Sequence, residues 1–358
     1  MLPLLLVAGN SYGAVKTGAV CAKAGMKKVS DGLTYTCKKS GKKLVWDKGV
    51  VVMTYPDGPT SFDDLVENYR GISYAAWSKS SAALKAGIAK APAFKAITGP
   101  NTVLTYKTPT TAFDLIARLY SGYESSKDAT VLSFNFADRE WARDQMKALQ
   151  PNSTFQWIMD MACATKASCN GGGMFTDDNG AGLLVITTEV ADVNHTSGTL
   201  EAHEYTHAVQ QGQMKKTQPW PTRGTWPPTW YLEGQAHFAQ NAAVYYQSFE
   251  SYASARKSTA ADLFVKKDIN SKFIEEYFLI NQPSDWFNKY DRWRQYDLGA
   301  MLVETLVAVK GPAPTMEIWK LCGSGMTFEE AFAQVYGTSF YSVLPKISKA
   351  IALEVGRS

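Results

Sequence analysis

Residues 203–207 read His203-Glu204-Tyr205-Thr206-His207 and match the pattern His-Glu-x-x-His. On a helix, residues four apart lie one turn above each other on the same face. The spacing therefore predicts that His203 and His207 place two imidazole nitrogens on a single Zn²⁺. Glu204 is one position along, where its carboxylate can take a proton from water on the open side of the metal.

The sequence before this motif predicts strands that alternate with helices. Residues 182–188 form a short, apolar, β-branched run bounded by glycine, which is typical of a strand. The glycine-rich residues 170–182 predict a mobile or tightly turned segment. The other predicted elements are helices over 61–89, 110–120 and 138–149 and strands over 102–106 and 131–136. This alternation favours a mixed α/β lobe.

The sequence after the motif predicts almost only helix. An irregular aromatic loop over 218–228 comes first, and a helix over 230–246 follows it. Further helices are predicted over 250–267, 271–279, 291–309, 314–321, 327–336 and 339–354. The fold class is therefore α+β, with one domain over 61–358 that has a mixed-sheet N-terminal lobe (about 61–215) and a mainly helical C-terminal lobe (about 216–358).

Glu233 is the best candidate for a third metal ligand. A catalytic zinc usually takes three protein ligands and leaves a fourth position for water. Glu233 follows His207 by 26 positions and lies on the next predicted helix, where Gly234 allows close packing against the first. An ordinary surface carboxylate is the alternative. The prediction is one Zn²⁺ per chain.

These motifs resemble those of the gluzincin metallopeptidases, the group of thermolysin and the leukotriene-hydrolase-like aminopeptidases. That family combines His-Glu-x-x-His with a helix carrying Trp-Leu-x-Glu-Gly-x-Ala. The resemblance implies a zincin-like catalytic domain in which His203, His207 and Glu233 bind zinc. It also implies that Glu204 is the general base and acid of a zinc-dependent peptidase.

Residues 295–300, Gln-Tyr-Asp-Leu-Gly-Ala, resemble the Tyr-x-x-Gly-Ala helix of the aminopeptidase branch. The resemblance implies that the hydroxyl of Tyr296 donates a hydrogen bond to the oxyanion of the tetrahedral intermediate. A tyrosine of the hydrophobic core is the alternative.

Other positions depart from the family pattern. The aminopeptidases hold a free amine with Gly-x-Met-Glu-Asn, but no glutamate follows Met174 here. An endopeptidase that binds an extended chain along a predicted edge strand, 183–188, is therefore slightly preferred. Thermolysin-like enzymes have an acidic residue where this chain has His237, which either orients a ligand or is a satisfied core histidine. His195 is more simply a loop histidine than an oxyanion donor.

The chain has 358 residues, of which 45% are hydrophobic and 20% charged, a globular composition. Residues 1–14 are apolar and small and resemble the remnant of a secretory signal, with an N-terminal strand as the alternative. The run is too short to span a bilayer, and no other stretch is long and apolar enough. A secreted protein is therefore expected, either free outside the cell or associated with the cell envelope.

Residues 15–48 predict a small basic module. They hold nine lysines and two aspartates, a net +7 in a chain of net +4. Strands over 31–37 and 42–46, joined at 38–41, are predicted, followed by a linker over 49–60. The module resembles the Cys-stapled, Trp-ended modules of secreted actinobacterial proteins. Its charge suggests binding to an anionic cell-envelope polymer, with a soluble spacer as an equal alternative; nucleic-acid binding is not predicted.

Five cysteines suit an exported protein. We expect the disulfides Cys21–Cys37 and Cys163–Cys169, and Cys322 as a buried free thiol. The function predicted from the whole sequence is a secreted zinc-dependent peptidase. The alternative is a zinc-fold scaffold protein without useful turnover, which would have no need of Glu204.

Overall fold

A computed structural model describes residues 15–51, 54–88, 92–152, 155–177, 179–214, 226–279 and 290–357. The chain divides into two compact units, Met1–Tyr55 and Pro56–Ser358. The predicted signal remnant, 1–14, and most of the aromatic loop lie outside the described residues. Within the described residues, no helix has both the length and the apolar character needed to cross a bilayer.

The small unit contains an antiparallel sheet of four strands, β1 (Lys27–Ser30), β2 (Leu33–Ser40), β3 (Lys43–Trp46) and β4 (Val50–Val51). β2 is central, with β1 on one side and β3 on the other. Two residues of the predicted linker thus pair with β2 as β4. β2 continues to Ser40, so the turn lies at Gly41, whose φ is 60°.

One face of this small sheet forms a core. Tyr35, Cys37 and Trp46 are buried there with Val15 and Cys21. The Cys21–Cys37 disulfide is present, as predicted. So short a chain buries little apolar surface, and a covalent link therefore adds stability that packing does not supply.

The large unit contains a second sheet of four strands, β5 (Ala93–Thr98), β6 (Asp128–Phe134), β7 (Asn170–Thr176) and β8 (Ala181–Thr188). Their order is β5-β6-β8-β7, and β7 alone is antiparallel to its neighbour. Alternate residues of β6 and β8 enter two different apolar clusters. Both faces of the sheet are therefore covered, which explains why its inner strands are rich in buried apolar residues.

Thirteen α-helices are described in the large unit. They are α1 (Ile72–Ala86), α2 (Pro109–Leu119), α3 (Arg139–Leu149), α4 (Val193–Ser197), α5 (Thr199–Met214), α6 (Thr229–Val244), α7 (Phe249–Thr259), α8 (Ala261–Val265), α9 (Ser271–Leu279), α10 (Arg294–Lys310), α11 (Pro312–Gly323), α12 (Phe328–Tyr336) and α13 (Phe340–Glu354). The fold is mixed α/β, with the described part of 226–357 helical. The Cys163–Cys169 disulfide and the buried free Cys322 are also as predicted.

Two predicted elements are wrong because an aspartate carboxylate accepts hydrogen bonds from nearby hydroxyl or backbone N–H groups. The strand over 102–106 is irregular chain, since the hydroxyl of Thr102 donates to Asp138 at 2.6 Å. The helix over 61–89 begins only at Ile72. Before it, Asp64 accepts hydrogen bonds from the backbone of two preceding residues. Such side-chain contacts compete with regular secondary structure.

The first part of the glycine-rich segment is a strand, contrary to the prediction, and a tight turn follows it, in which the Gly180 N–H donates to the carbonyl of Asp177 at 2.9 Å. Asn170–Thr176 pairs with β8 along its whole length. β8 consequently lies inside the sheet, and the edge strand is β7 rather than 183–188. The predicted helix over 250–267 is also interrupted, at Ala260.

Candidate metal centre

The site is built on α5, a helix buried on nearly every side. Only Leu200, Gln211 and Gln213 on it are partly exposed. A helix surrounded in this way belongs to the interior of its domain. The His203 and His207 imidazoles lie one turn apart and point the same way, with their Nε2 atoms 3.2 Å apart.

Glu233 reaches this pair from α6. Its Oε2 lies 3.3 Å from His203 Nε2 and 3.4 Å from His207 Nε2. The three residues form a group whose ligand atoms all lie within 4.8 Å of one another and which could hold a metal ion. The three predicted ligands are therefore brought together.

A close helix contact sets the position of Glu233. A Cβ atom on Gly234 would lie 2.2 Å from the carbonyl carbon of Gly299 on α10. A Cβ on Gly299 would lie 2.3 Å from the carbonyl oxygen of Trp230. α6 and α10 can approach so closely only because both positions lack a side chain.

Glu233 and His207 shift each other's pKa values. Burial disfavours ionisation of Glu233, but the His207 charge and the hydrogen bonds from both imidazoles hold the pKa of Glu233 well below its ordinary value. Burial also opposes the charge of His207, yet Glu233 outweighs it and raises the pKa of His207 to about 9. Glu233 is thus ionised and ready to bind a cation.

A chain of buried amides orients His207. Its Nδ1 lies 2.7 Å from Gln210 Oε1, and Gln210 Nε2 donates to the carbonyl of Leu232 at 3.0 Å and to Gln235 Oε1 at 2.9 Å. A carbonyl can only accept, so the amide nitrogen of Gln210 must face Leu232 and its oxygen must face His207. His207 Nδ1 therefore carries a hydrogen, and Nε2 is the nitrogen left for a metal.

The far end of this chain of hydrogen bonds is fixed by a group that can only donate. Trp319 Nε1 on α11 donates to Gln235 Oε1 at 2.6 Å, and Gln235 Nε2 donates to Thr315 Oγ1 at 2.9 Å. The indole N–H has no acceptor function, so the orientation of the Gln235 amide is fixed as well. α11 thus contributes to the position of His207 without touching it.

His203 is oriented by a second glutamine. Its Nδ1 lies 2.9 Å from Oε1 of Gln240, seven residues after Glu233 on α6. His237 does not supply this contact, and its buried Nε2 has no hydrogen-bond partner among the described residues. It is therefore neither the orienting group nor the satisfied core histidine considered from the sequence. Burial lowers the pKa of His237 to about 3.

The Glu204 side chain on α5 faces the edge strand β7. A Cβ on Gly172 of β7 would lie 2.8 Å from Glu204 Oε1, so the carboxylate rests against bare backbone. Burial raises the pKa of Glu204; the His203 and His207 charges oppose this effect and Glu233 adds to it. A carboxylate with a raised pKa beside a candidate metal site suits proton transfer.

Tyr296 on α10 closes another side of the site. Its ring centroid is 6.0 Å from that of His203 and 5.9 Å from that of His237. Burial and the Glu233 charge raise the pKa of Tyr296, against an opposing effect of Arg292. The phenol thus keeps its hydrogen and can donate it.

His195 has a structural role. It lies on α4, and its Nδ1 and Nε2 lie 2.7 Å from Asp192 Oδ1 and 3.2 Å from the carbonyl of Thr187. With Asp192 it forms a capping box at the start of this short helix. Both ring nitrogens are engaged, so His195 is not available as an oxyanion donor.

Comparison with known proteins finds no match. No protein-family model, curated protein or solved structure matches this chain. Inference about function therefore starts from the residues and distances of the site.

Proposed function

We propose that the chain is a zinc-dependent peptidase of the zincin type, with His203, His207 and Glu233 as the metal ligands. The observation that carries this proposal is the triangle of ligand atoms, with sides of 3.2, 3.3 and 3.4 Å. Two disulfides support action in an oxidising compartment outside the cytoplasm.

The donor set fits zinc in chemistry and size. Two imidazoles and one carboxylate form a set found in catalytic zinc sites. Bonds of about 2.05 Å to a tetrahedral ion give ligand–ligand edges of about 3.3 Å, the size of the observed triangle. The oriented glutamines, Gln210 and Gln240, supply the hydrogen bonds that zinc-binding histidines need at their other nitrogen.

The remaining residues suit hydrolysis of an amide bond. A zinc ion held here supplies Lewis acidity toward water and a carbonyl oxygen. Glu204 takes a proton from the attacking water and returns it to the leaving amine. Tyr296 donates a hydrogen bond where the oxyanion develops.

The edge strand β7 suits an extended segment of a longer peptide, whose chain continues beyond the site in both directions. β7 carries three successive glycines, and Gly172 faces Glu204. A peptide that adds to a sheet edge is held by its backbone and needs no free terminus. An endopeptidase is therefore preferred over an aminopeptidase.

The test pairs metal analysis with hydrolysis in matched variants. Glu204→Gln should retain one zinc per chain while hydrolysis of casein falls by orders of magnitude. Glu201→Gln is the control, because Glu201 is a buried glutamate on the same helix and is not one of the three residues of the candidate metal group. It should keep hydrolysis within a few-fold of the parent chain.

Other outcomes lead elsewhere. A zinc-loaded parent chain that cleaves neither casein nor a peptide library would replace the peptidase with the zinc-fold scaffold protein. Peptides blocked by N-terminal acetylation separate the two peptidase classes, because an endopeptidase cuts them internally and an aminopeptidase does not.

A further inference from the structure

The open face of the small sheet carries a diagonal row of lysines. Antiparallel partners share a face, and side chains alternate along a strand. Cys37 faces the core, so Lys38 faces outward. Lys27 on β1 pairs with Thr36 and Lys43 on β3 pairs with Ser40, on the same face as Lys38.

The three lysines are regularly spaced. From Lys27 to Lys38, and again from Lys38 to Lys43, the position shifts by two residues along β2 and by one strand across the sheet, in the same direction both times. With about 3.4 Å per residue and 4.8 Å between strands, neighbouring Cα atoms are about 8 Å apart. The row does not converge on a point, so it does not form a pocket for a single small anion. It suits a chain whose negative charges recur.

The surroundings of the row are basic and partly apolar. Among the described residues, Asp47 is the one acid paired with it, at 3.0 Å from Lys38 Nζ, and is itself held by backbone N–H groups. Lys42 in the turn is exposed beside the Lys43 end. Val29 and Val50 on the same face are 63% and 68% exposed and offer contact to a hydrocarbon backbone.

We propose that this row, Lys27-Lys38-Lys43, binds a linear phosphodiester polymer with a hydrocarbon backbone, independently of any peptidase activity. Each ammonium is a compact charge on a flexible stem and can follow phosphates whose spacing differs from its own. The two valines are both level with Thr34 of β2, beyond the Lys27 end of the row, and offer the polymer apolar contact where it continues past the lysines. Such binding would hold the chain at an anionic surface through its small unit.

The test uses the full-length chain and fluorescently end-labelled poly(glycerol phosphate), followed by anisotropy. The row variant is K27Q/K38Q/K43Q, and the matched control is K16Q/K23Q/K48Q, which removes three other exposed lysines and the same charge. The row variant should bind about tenfold more weakly or worse, and the control should stay within about threefold. The slope of log Kd against log salt should fall by about 2 in the row variant, since each lost contact contributes about 0.7.

Three results would overturn the proposal. Equal loss in the two variants would mean diffuse charge attraction without a defined row. No loss in the row variant would remove these lysines from the interface. Binding to phosphatidylglycerol vesicles but not to the polymer would assign the face to membranes instead. Mass analysis of the Cys21–Cys37 disulfide in each variant checks that the unit is folded.

Discussion

Replacing Gln210 by methionine removes the acceptor that orients His207 while keeping the volume of the side chain. Three hydrogen bonds are lost, at 2.7 Å to His207 and at 3.0 and 2.9 Å to Leu232 and Gln235. Loss of such an orienting bond typically weakens metal binding by about 10–100-fold. That range corresponds to about 1.4–2.7 kcal/mol. We expect the zinc Kd of Q210M to rise by this factor.

Competition against a chelator of known affinity measures the zinc Kd without any assay of hydrolysis. The Nδ1–H of His207 in the zinc-loaded protein provides an independent readout. In the parent chain it should resist exchange because Gln210 accepts it, and in Q210M it should exchange fast. Stability should also fall, by about 1–3 kcal/mol, because buried polar groups lose their partners.

Gln213→Met is the control for this experiment. Gln213 lies on the same helix, and its amide donates to the backbone carbonyls of Glu124 and Val209 and to no residue of the candidate metal group. Zinc affinity should therefore be unchanged in Q213M. If the two variants bind zinc equally well, within about twofold, the amide chain does not orient His207 and the reasoning fails.

Three further predictions concern other parts of the large unit. G234A should lower the free energy of unfolding in urea by roughly 3 kcal/mol, because the added Cβ meets the Gly299 backbone and forces two helices apart. Y296F should keep its zinc while kcat falls by about 100-fold, as for loss of one oxyanion donor; an unchanged kcat would return Tyr296 to the core. Burial raises the pKa of Glu354 to about 8, although Arg256 lies 3.1 Å away and opposes the shift. The folded chain holds this proton more tightly than the unfolded chain, so the stabilising contribution is complete below about pH 4.5 and is lost as pH rises through about 8. Urea denaturation at pH 5 and pH 9 measures how far the free energy of unfolding falls between these two pH values. The fall should be smaller in E354Q than in the parent chain. An equal fall in both would exclude Glu354 as its source.

The two candidate histidine ligands could be predicted from sequence because helix geometry fixes their relative position. Residues four apart, such as His203 and His207, must share a face wherever the helix lies. Glu233 needed only that the following helix cross the first. Gly234 was expected to allow close packing against that first helix, but it instead contacts Gly299 on α10. The glutamines Gln210 and Gln240 could not be singled out, because their role depends on which acceptors surround them after folding. Their spacing of three and seven residues from a ligand was the available signal.

The edge strand shows why local preference failed elsewhere. Glycine is a poor strand former, so the run in β7 predicted a turn. In the folded chain Gly172 and Gly173 are covered on opposite faces by Glu204 and Trp157, where side chains have no room. Packing between distant segments thus outweighed the low strand preference of glycine. The periodicity of the sequence does not reveal such packing.

The glycine run also has a consequence for selectivity. At Gly172 the surface beside Glu204 is made of backbone atoms, and substitutions elsewhere on the strand do not change it. A surface of this kind treats every amino acid of a bound peptide alike. In the proposed peptidase, discrimination between substrates must then come from side chains outside this glycine run.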